Sequence, residues 1–315
     1  MYSHFMIFER GENRDIKFKR KRFFMSELKN CDRDKNKVEG GRLYLVATPI
    51  GNLSDMSERG LKVLSEVDFI AAEDTRNSLR MLTHFKISKP MVSYHEHNRR
   101  ERGEEIASRL LAGESCALIT DAGTPAISDP GEDMVALCAE KGIPVTSIPG
   151  ACAAITALTL SGLPTARFVF EGFLPVQKKE RRERLEELTY ERRTFILHEA
   201  PHKLRTTLSD LEKILGGDRR ISLCRELTKL NEEIFRTTLS EAVSYYSEHE
   251  PRGEYVLVIE GGSEKRPNEA EENMTVDECI AYFTKEGMSK NDAIKATAKK
   301  LGIPRNEVYK HTIVE

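Results

Sequence analysis

The chain reads as an α/β protein: two α/β domains with a cleft between them, followed by a small helical tail. Three observations predict that arrangement. Short apolar runs alternate with amphipathic stretches from residue 42 to about 164, the pattern of a mainly parallel sheet covered on both faces. A second alternation begins after Gly162-Leu163-Pro164, a breaker cluster suited to a domain junction. Two glycine-bearing loops each follow an apolar run directly, and in an open parallel sheet ligands sit beyond the carboxyl ends of the strands.

Residues 1–40 come first and are polar and basic, with Lys17-Phe18-Lys19-Arg20-Lys21-Arg22 at their middle. With little apolar periodicity they are expected to be a disordered or loosely attached extension. Met25 offers a second start site within it. The first domain is placed at 41–164, with strands expected at 43–47, 69–73, 91–94, 116–121 and 145–148. Helices are expected at 56–65, 78–84, 100–112 and 131–141. Pro149-Gly150-Ala151 then opens a small-residue helix at 152–160, suited to close packing against a sheet or a ligand.

The second domain, 165–262, carries expected strands at 168–172, 194–198, 221–226, 233–238 and 255–260, with two helices at 179–190 and 202–215. Only 227–232 separates two of those strands, which suggests a hairpin and so a mixed sheet. The acidic segment 263–274, entered through Gly261-Gly262, reads as a flexible linker. The tail, 275–315, carries helices at 276–285, 291–301 and 304–311, with Ser289 as a cap, Gly302 as a stop and Pro304 as a start. That spacing resembles a helix-turn-helix, in which Lys290, Lys295, Lys299, Lys300, Arg305 and Lys310 would meet phosphates if it touches nucleic acid.

Composition narrows the classes. No run of about 18 apolar residues exists, so no membrane span is expected, and a signal peptide's apolar segment is missing, which leaves the cytoplasm as default. The six cysteines form no C-x-x-C pair and mostly sit in apolar stretches, as buried reduced thiols do. No metal site is expected, since His95 and His97 lack a third ligand. A net charge of −2 does not announce a nucleic-acid binder. The local clusters 99–102 and 178–184 are dense in cations, either as solvated helix faces or as phosphate-contacting patches.

The loops themselves are Thr48-Pro49-Ile50-Gly51-Asn52-Leu53 and Asp121-Ala122-Gly123-Thr124-Pro125-Ala126-Ile127-Ser128-Asp129-Pro130-Gly131. Neither fits G-x-G-x-x-G or the lysine-bearing phosphate loop, so a dinucleotide or nucleoside triphosphate is not indicated. Asp129, Pro130 and Glu132 read as cap, first helical residue and capping-box partner. Asp121 has no such local task, and ligand contact and turn formation both stay open for it.

These two loops together resemble the signature of the ribosomal RNA small-subunit methyltransferase I family. Glu73-Asp74-Thr75-Arg76, Tyr94-His95-Glu96-His97-Asn98 and Leu197-His198-Glu199-Ala200-Pro201 are similar to family segments too. The similarity runs from about 41 to 262 with a family-type tail, and leaves 1–40 outside. It implies the tetrapyrrole-methylase fold, a homodimer, S-adenosylmethionine as methyl donor, and a cytidine 2′-hydroxyl of 16S rRNA as acceptor. The partner is then 16S rRNA or the small ribosomal subunit. By resemblance, donor binding falls on Asp121, Ala122, Gly123, Thr124, Pro125, Ile127, Ser128, Gly150 and Ala151. Pro49 and Gly51 would shape one wall, and Glu199 and Ala200 of the second domain would close the other. A tetrapyrrole methyltransferase of the same fold and a non-catalytic RNA-binding assembly factor are the competing readings.

Methyl transfer from a sulfonium needs alignment, close approach and removal of the acceptor proton. A ribose hydroxyl is a weak acid, so a general base within hydrogen-bond reach helps. Asp74 with Arg76 is the first choice, a carboxylate to take the proton and a guanidinium to hold a phosphate. Capping of the following helix by Asp74 or Thr75 is the open alternative, and His97 is the other candidate base.

Overall fold

Ten strands form two five-stranded sheets in the computed structural model, which describes residues 36–262, 274–285 and 287–311. The expectations for residues 1–35, 263–273 and 312–315 lie outside the described residues. The first sheet joins β1 (Leu43–Val46), β2 (Phe69–Ala72), β3 (Met91–Ser93), β4 (Cys116–Ile119) and β5 (Val145–Ile148) in the order β3-β2-β4-β1-β5. Every pairing in it is parallel. Side chains alternate across the pleat, so one strand feeds two cores. Leu43, Phe69, Ala71 and Leu118 pack under α3 (Arg99–Leu111) and α4 (Glu132–Glu140). Tyr44, Val46, Ile70 and Ile119 pack under α1 (Glu58–Glu66) and α2 (Thr75–His84).

The strand order decides where a ligand fits. The loop after β1 leads to α1 on one face, and the loop after the neighbouring β4 leads to α4 on the opposite face. Chains that part in this way leave a crevice at the carboxyl edge of the sheet.

The second sheet runs β6 (Phe168–Gly172), β7 (Thr194–Glu199), β10 (Tyr255–Ile259), β8 (Arg220–Arg225) and β9 (Glu233–Thr238). Only β6 and β7 are parallel, and the expected hairpin is present as β8–β9. One face buries leucines of α6 (Lys178–Thr189) and α7 (Pro201–Leu215), together with Leu239, Ala242 and Tyr246 of α8 (Leu239–Glu248). The other face packs Ile196, Cys224, Val256 and Val258 against Ala154, Ala157 and Leu158 of α5 (Ala153–Leu160). The small-residue helix therefore joins the two domains, its alanines allowing the sheet a close approach.

Three expectations need correction. Helix α8 was not anticipated, although Thr238 and Glu241 form a capping box with both reciprocal bonds present. Residues 36–40 are not a loose extension. Val38 packs on the first domain's core and the Glu39 amide donates to the Tyr44 hydroxyl at 2.7 Å. Asp129 is not a helix cap. Helix α4 starts at Glu132 with Gly131 at the cap position and no side-chain cap bond. The cause is local: Gly131 takes φ 143°, and the loop folds back so tightly that a Cβ there would lie 3.1 Å from the Ala126 nitrogen.

The tail is three helices, α9 (Val276–Lys285), α10 (Lys290–Leu301) and α11 (Arg305–His311), packed around Cys279, Ala293, Ile294 and Val308. Ser289 caps α10 by accepting from the Asp292 amide, and Gly302 ends it in the left-handed region at φ 64°. Among the described residues no helix is long and apolar enough to cross a membrane.

Candidate active site

Three loops at the carboxyl edge of the first sheet are bonded into one unit. Thr48 and Gly123 exchange backbone hydrogen bonds at 2.9 and 3.1 Å. The Thr48 hydroxyl donates to the Thr120 carbonyl at 3.1 Å, and the Thr124 hydroxyl to the Ala151 carbonyl at 2.9 Å. Gly150 lies against Ala47, where an added Cβ would stand 2.8 Å from the alanine methyl. Gly123 has φ 88°, and two non-glycine residues, Ala126 and Ser128, also turn left-handed at 67° and 65°. Each of those two costs about 1 kcal/mol, so the surrounding bonds hold the loop in a shape it would not adopt alone.

The second domain meets this unit closely. A Cβ on Gly172 would stand 3.3 Å from the Ser128 hydroxyl oxygen, and one on Gly51 would stand 2.8 Å from the Thr228 hydroxyl oxygen. Between the domains lies a cavity of about 510 Å³. Ile50, Ala122, Ile127 and Ala153 line it from the first domain, and Phe173, Leu227 and Val256 from the second. Its polar groups come from Ser128, Asp129, Glu254 and the run from His198 to His202.

His198 stands edge-on to Phe170 and Phe173, with ring centroids 5.2 and 5.5 Å away. Burial lowers its pKa and keeps it neutral, and its Nε2 is buried without a partner. The Glu199 carboxylate is committed inside the domain, accepting from the buried Thr207 hydroxyl and from the Ala200 amide at 2.8 Å. It anchors the start of α7, with Ala200 at the cavity wall.

A second cavity, about 350 Å³, opens toward β2 and β3 and is lined by Glu73, Tyr94, Glu96, Arg99 and the stretch from Ser128 to Asp133. Ser128 and Asp129 belong to both cavities. Burial, helped by Glu73 and Asp121, pushes the Asp129 carboxyl up to about 6. Glu73 is raised as well, chiefly by burial, and accepts from the Asp121 amide at 3.4 Å. Asp121 in turn accepts from the Asn77 side-chain amide at 3.0 Å.

The three residues singled out for chemistry part company here. Asp74 caps α2, accepting from the Arg76 amide at 2.8 Å, and its carboxylate pairs with the Arg76 guanidinium at 2.9 Å. Those bonds from Arg76 hold Asp74 down at about 2, a weak proton acceptor at neutral pH. His97 lines neither of the two cavities; it sits with Arg100, Glu101 and Glu104 around a shallow hollow. Of the residues expected to bind the donor, Ala122, Ile127, Ser128, Glu199 and Ala200 line the larger cavity. Gly123, Thr124, Gly150 and Ala151 build the bonded unit, Pro125 is buried within the loop, and Pro49 is half-buried. Asp129 and His198 were not expected at the site, although each lies inside one of the motif segments, and Glu73 stands beside the expected base Asp74.

Residues 42–243 match the family model of tetrapyrrole (corrin/porphyrin) methylases. A Synechocystis protein named ribosomal RNA small subunit methyltransferase I is 49% identical over 270 residues, covering 85% of this chain and 96% of its own. The chain belongs to that family. Other members so named are those of Bacillus subtilis, 45% identical over 87% of this chain and 94% of its own, and Escherichia coli O157:H7, 42% identical over 87% and 95%. Solved structures share the fold of this methyltransferase I family member at low identity. Uroporphyrin-III-C-methyltransferase from Thermus thermophilus aligns with a TM-score of 0.51 at 17% identity, over 70% of this chain and 94% of its own. A diphthine synthase aligns at 0.53 and 15%, over 70% and 90%. The resemblance drawn from the two loops thus holds for the whole two-domain body.

Proposed function

We propose that this protein is an S-adenosylmethionine-dependent methyltransferase that modifies the ribose 2′-hydroxyl of a cytidine in 16S rRNA, working as a homodimer on the small ribosomal subunit or its RNA. The observation that carries this reading is the bonded unit of three loops facing the 510 Å³ cavity, in a chain of the methyltransferase I family. The cavity falls in the range of sites for ligands of this size, with apolar walls and few polar groups. Left-handed turns at Gly123, Ala126 and Ser128 shape the loop whose Ile127, Ser128 and Asp129 line the cavity, and His198 with its partnerless Nε2 lies in the wall, so the residues present fit a nucleoside with an amino-acid arm.

In this reading Ala122, Ile127 and Ala153 would hold the donor's apolar surface, and backbone groups of the loop near Thr124 its polar edges. The donor supplies an electrophilic methyl group and leaves as a neutral thioether, so the protein's own work is alignment and exclusion of water. Because the three loops are bonded to one another, that alignment requires no ordering when the ligand arrives. Asp74 serves to orient Arg76, whose side chain is 87% exposed and can reach a phosphate. His97 and Arg100 extend the same edge, and the lysines of α10 supply further phosphate contacts.

Nucleotide-resolution mapping of ribose methylation in small-subunit RNA, with and without the protein, tests this directly. The expected result is one cytidine that gains a 2′-O-methyl group only when the protein is present. Labelled methyl appearing on a tetrapyrrole and on no RNA would move the reading to the other branch of the fold.

A further inference from the structure

Asp129 has no structural task that explains it. It stands two residues ahead of the α4 cap position, makes no hydrogen bond or ion pair among the described residues, and is half-buried. The same residue belongs to the wall of both cavities. A group so placed can touch a ligand in either. Its backbone is fixed by the left-handed Ser128 before it, which rests against Gly172 of the second domain, and by Pro130 and Gly131 after it.

We propose that Asp129 is the general base that takes the proton from the hydroxyl being methylated, with the donor in the larger cavity and the acceptor nucleoside in the smaller one. The inference rests on the methyl-transfer reading above. As the hydroxyl oxygen bonds to the methyl carbon, the carbon–sulfur bond breaks and sulfur keeps that electron pair as a neutral thioether. The hydroxyl proton passes to an Asp129 carboxylate oxygen and leaves afterwards to water.

The surroundings suit the task. Glu73 follows β2 and Asp121 follows β4, and the two negative charges raise the proton affinity of Asp129 beyond what burial does. Glu96 and Arg99, with Tyr94, face the smaller cavity from the β3–α3 connection, and Glu132 and Asp133 from α4. Arg99 is occupied by Asp133 at 2.8 Å, so it does not neutralise Asp129. Across the larger cavity stand His202, Glu254, which pairs with Lys229, and His198, which burial keeps neutral. A carboxylate raised toward the working pH is a better proton acceptor than Asp74, whose pair with Arg76 holds it near 2.

The test uses the full chain as wild type, Asp129→Asn, Asp129→Glu and Glu73→Gln, with turnover measured against small-subunit RNA from pH 5 to 9 and donor affinity by calorimetry. The expected loss for Asp129→Asn is about 100-fold or more in kcat with donor Kd within about threefold of wild type, and Asp129→Glu recovers part of it. Wild-type kcat should fall below a midpoint near 6, and Glu73→Gln should move that midpoint down, because one negative neighbour is gone. A merely structural carboxylate would not shift the profile. Asp129→Asn turning over within about threefold of an active wild type, or a midpoint unmoved by Glu73→Gln, overturns the proposal. Should the asparagine variant not fold, the Glu73→Gln profile decides. A wild type that binds donor yet methylates no RNA defeats the parent reading instead, and the assignment of Asp129 falls with it.

Discussion

Thr48 and Gly123 lie 75 positions apart and exchange both of their backbone hydrogen bonds, so the loops after β1 and β4 move as one body. Neither loop contains an α-helix or strand of its own. Paired, and tied to Ala151 through Thr124, they form a rigid floor on which the rest of the cleft is built. The pairing also explains why glycine stands at 123: it supplies φ 88° and leaves its space to Ile50, whose methyl would be 3.3 Å from an added Cβ.

Gly123→Ala is therefore expected to keep the fold and lose ligand affinity. Alanine at this backbone angle costs about 1 kcal/mol, and Ile50 must give way into the cavity it lines. Binding of S-adenosylmethionine, measured by calorimetry, should weaken by roughly tenfold. An unchanged Kd would mean that the floor is not what shapes the site.

Much of this fold was legible in the chain because apolar runs and breakers mark strands whatever their partners are. The strands at 145–148, 168–172 and 233–238 are found where periodicity puts them, and Ser289 and Gly302 bound α10 as their chemistry dictates. Helix α8 escaped because its start follows β9 with no intervening breaker, so Thr238 reads as strand until Glu241 is noticed. The role of Asp129 was hidden for a different reason. An aspartate before Pro130 looks like a cap, and only the reversal at Gly131 displaces the helix start downstream. The raised proton affinity of Asp129 depends on how residues 73, 121 and 129 come together in space, which no local pattern encodes.

Replacing Asp129 should stabilise the protein while disabling it. The carboxyl titrates at about 6 in the folded chain against 3.8 ordinarily, so between those values the folded state binds more protons than the unfolded one. Stability from this group thus falls as pH rises through that window, and the full cost remains above 6. Asp129→Asn removes the cost, on the order of 1 kcal/mol once solvent screening of a partly exposed group is allowed for. Thermal unfolding at pH 7.5 should show a raised Tm for the variant, with the gain shrinking at pH 5. A lowered Tm at both would contradict it.

Asp74 and Arg76 predict a different signature from Asp129. If Asp74 aims Arg76 at a phosphate, Arg76→Ala raises KM for RNA while donor affinity stays at its wild-type value. Asp74→Asn should share the RNA defect in milder form, since an asparagine still caps α2 but no longer pairs with the guanidinium. Steady-state kinetics with RNA varied would separate the two positions: a kcat loss belongs at 129 and a KM change at 76. A large kcat loss in Asp74→Asn, with KM unchanged, would return the base to Asp74.

The tail offers the last test. Lys299 and Lys310 are exposed on α10 and α11, away from the buried packing of Ala293, Ile294 and Val308. Charge reversal at both should leave the tail folded and the cleft untouched. If the two lysines meet phosphates, the slope of log affinity for RNA against log salt should flatten by roughly one for each phosphate that is no longer neutralised. Donor binding, read in the same samples, should not change. Equal salt slopes for variant and wild type would confine RNA binding to the two-domain body and leave the tail a packing unit.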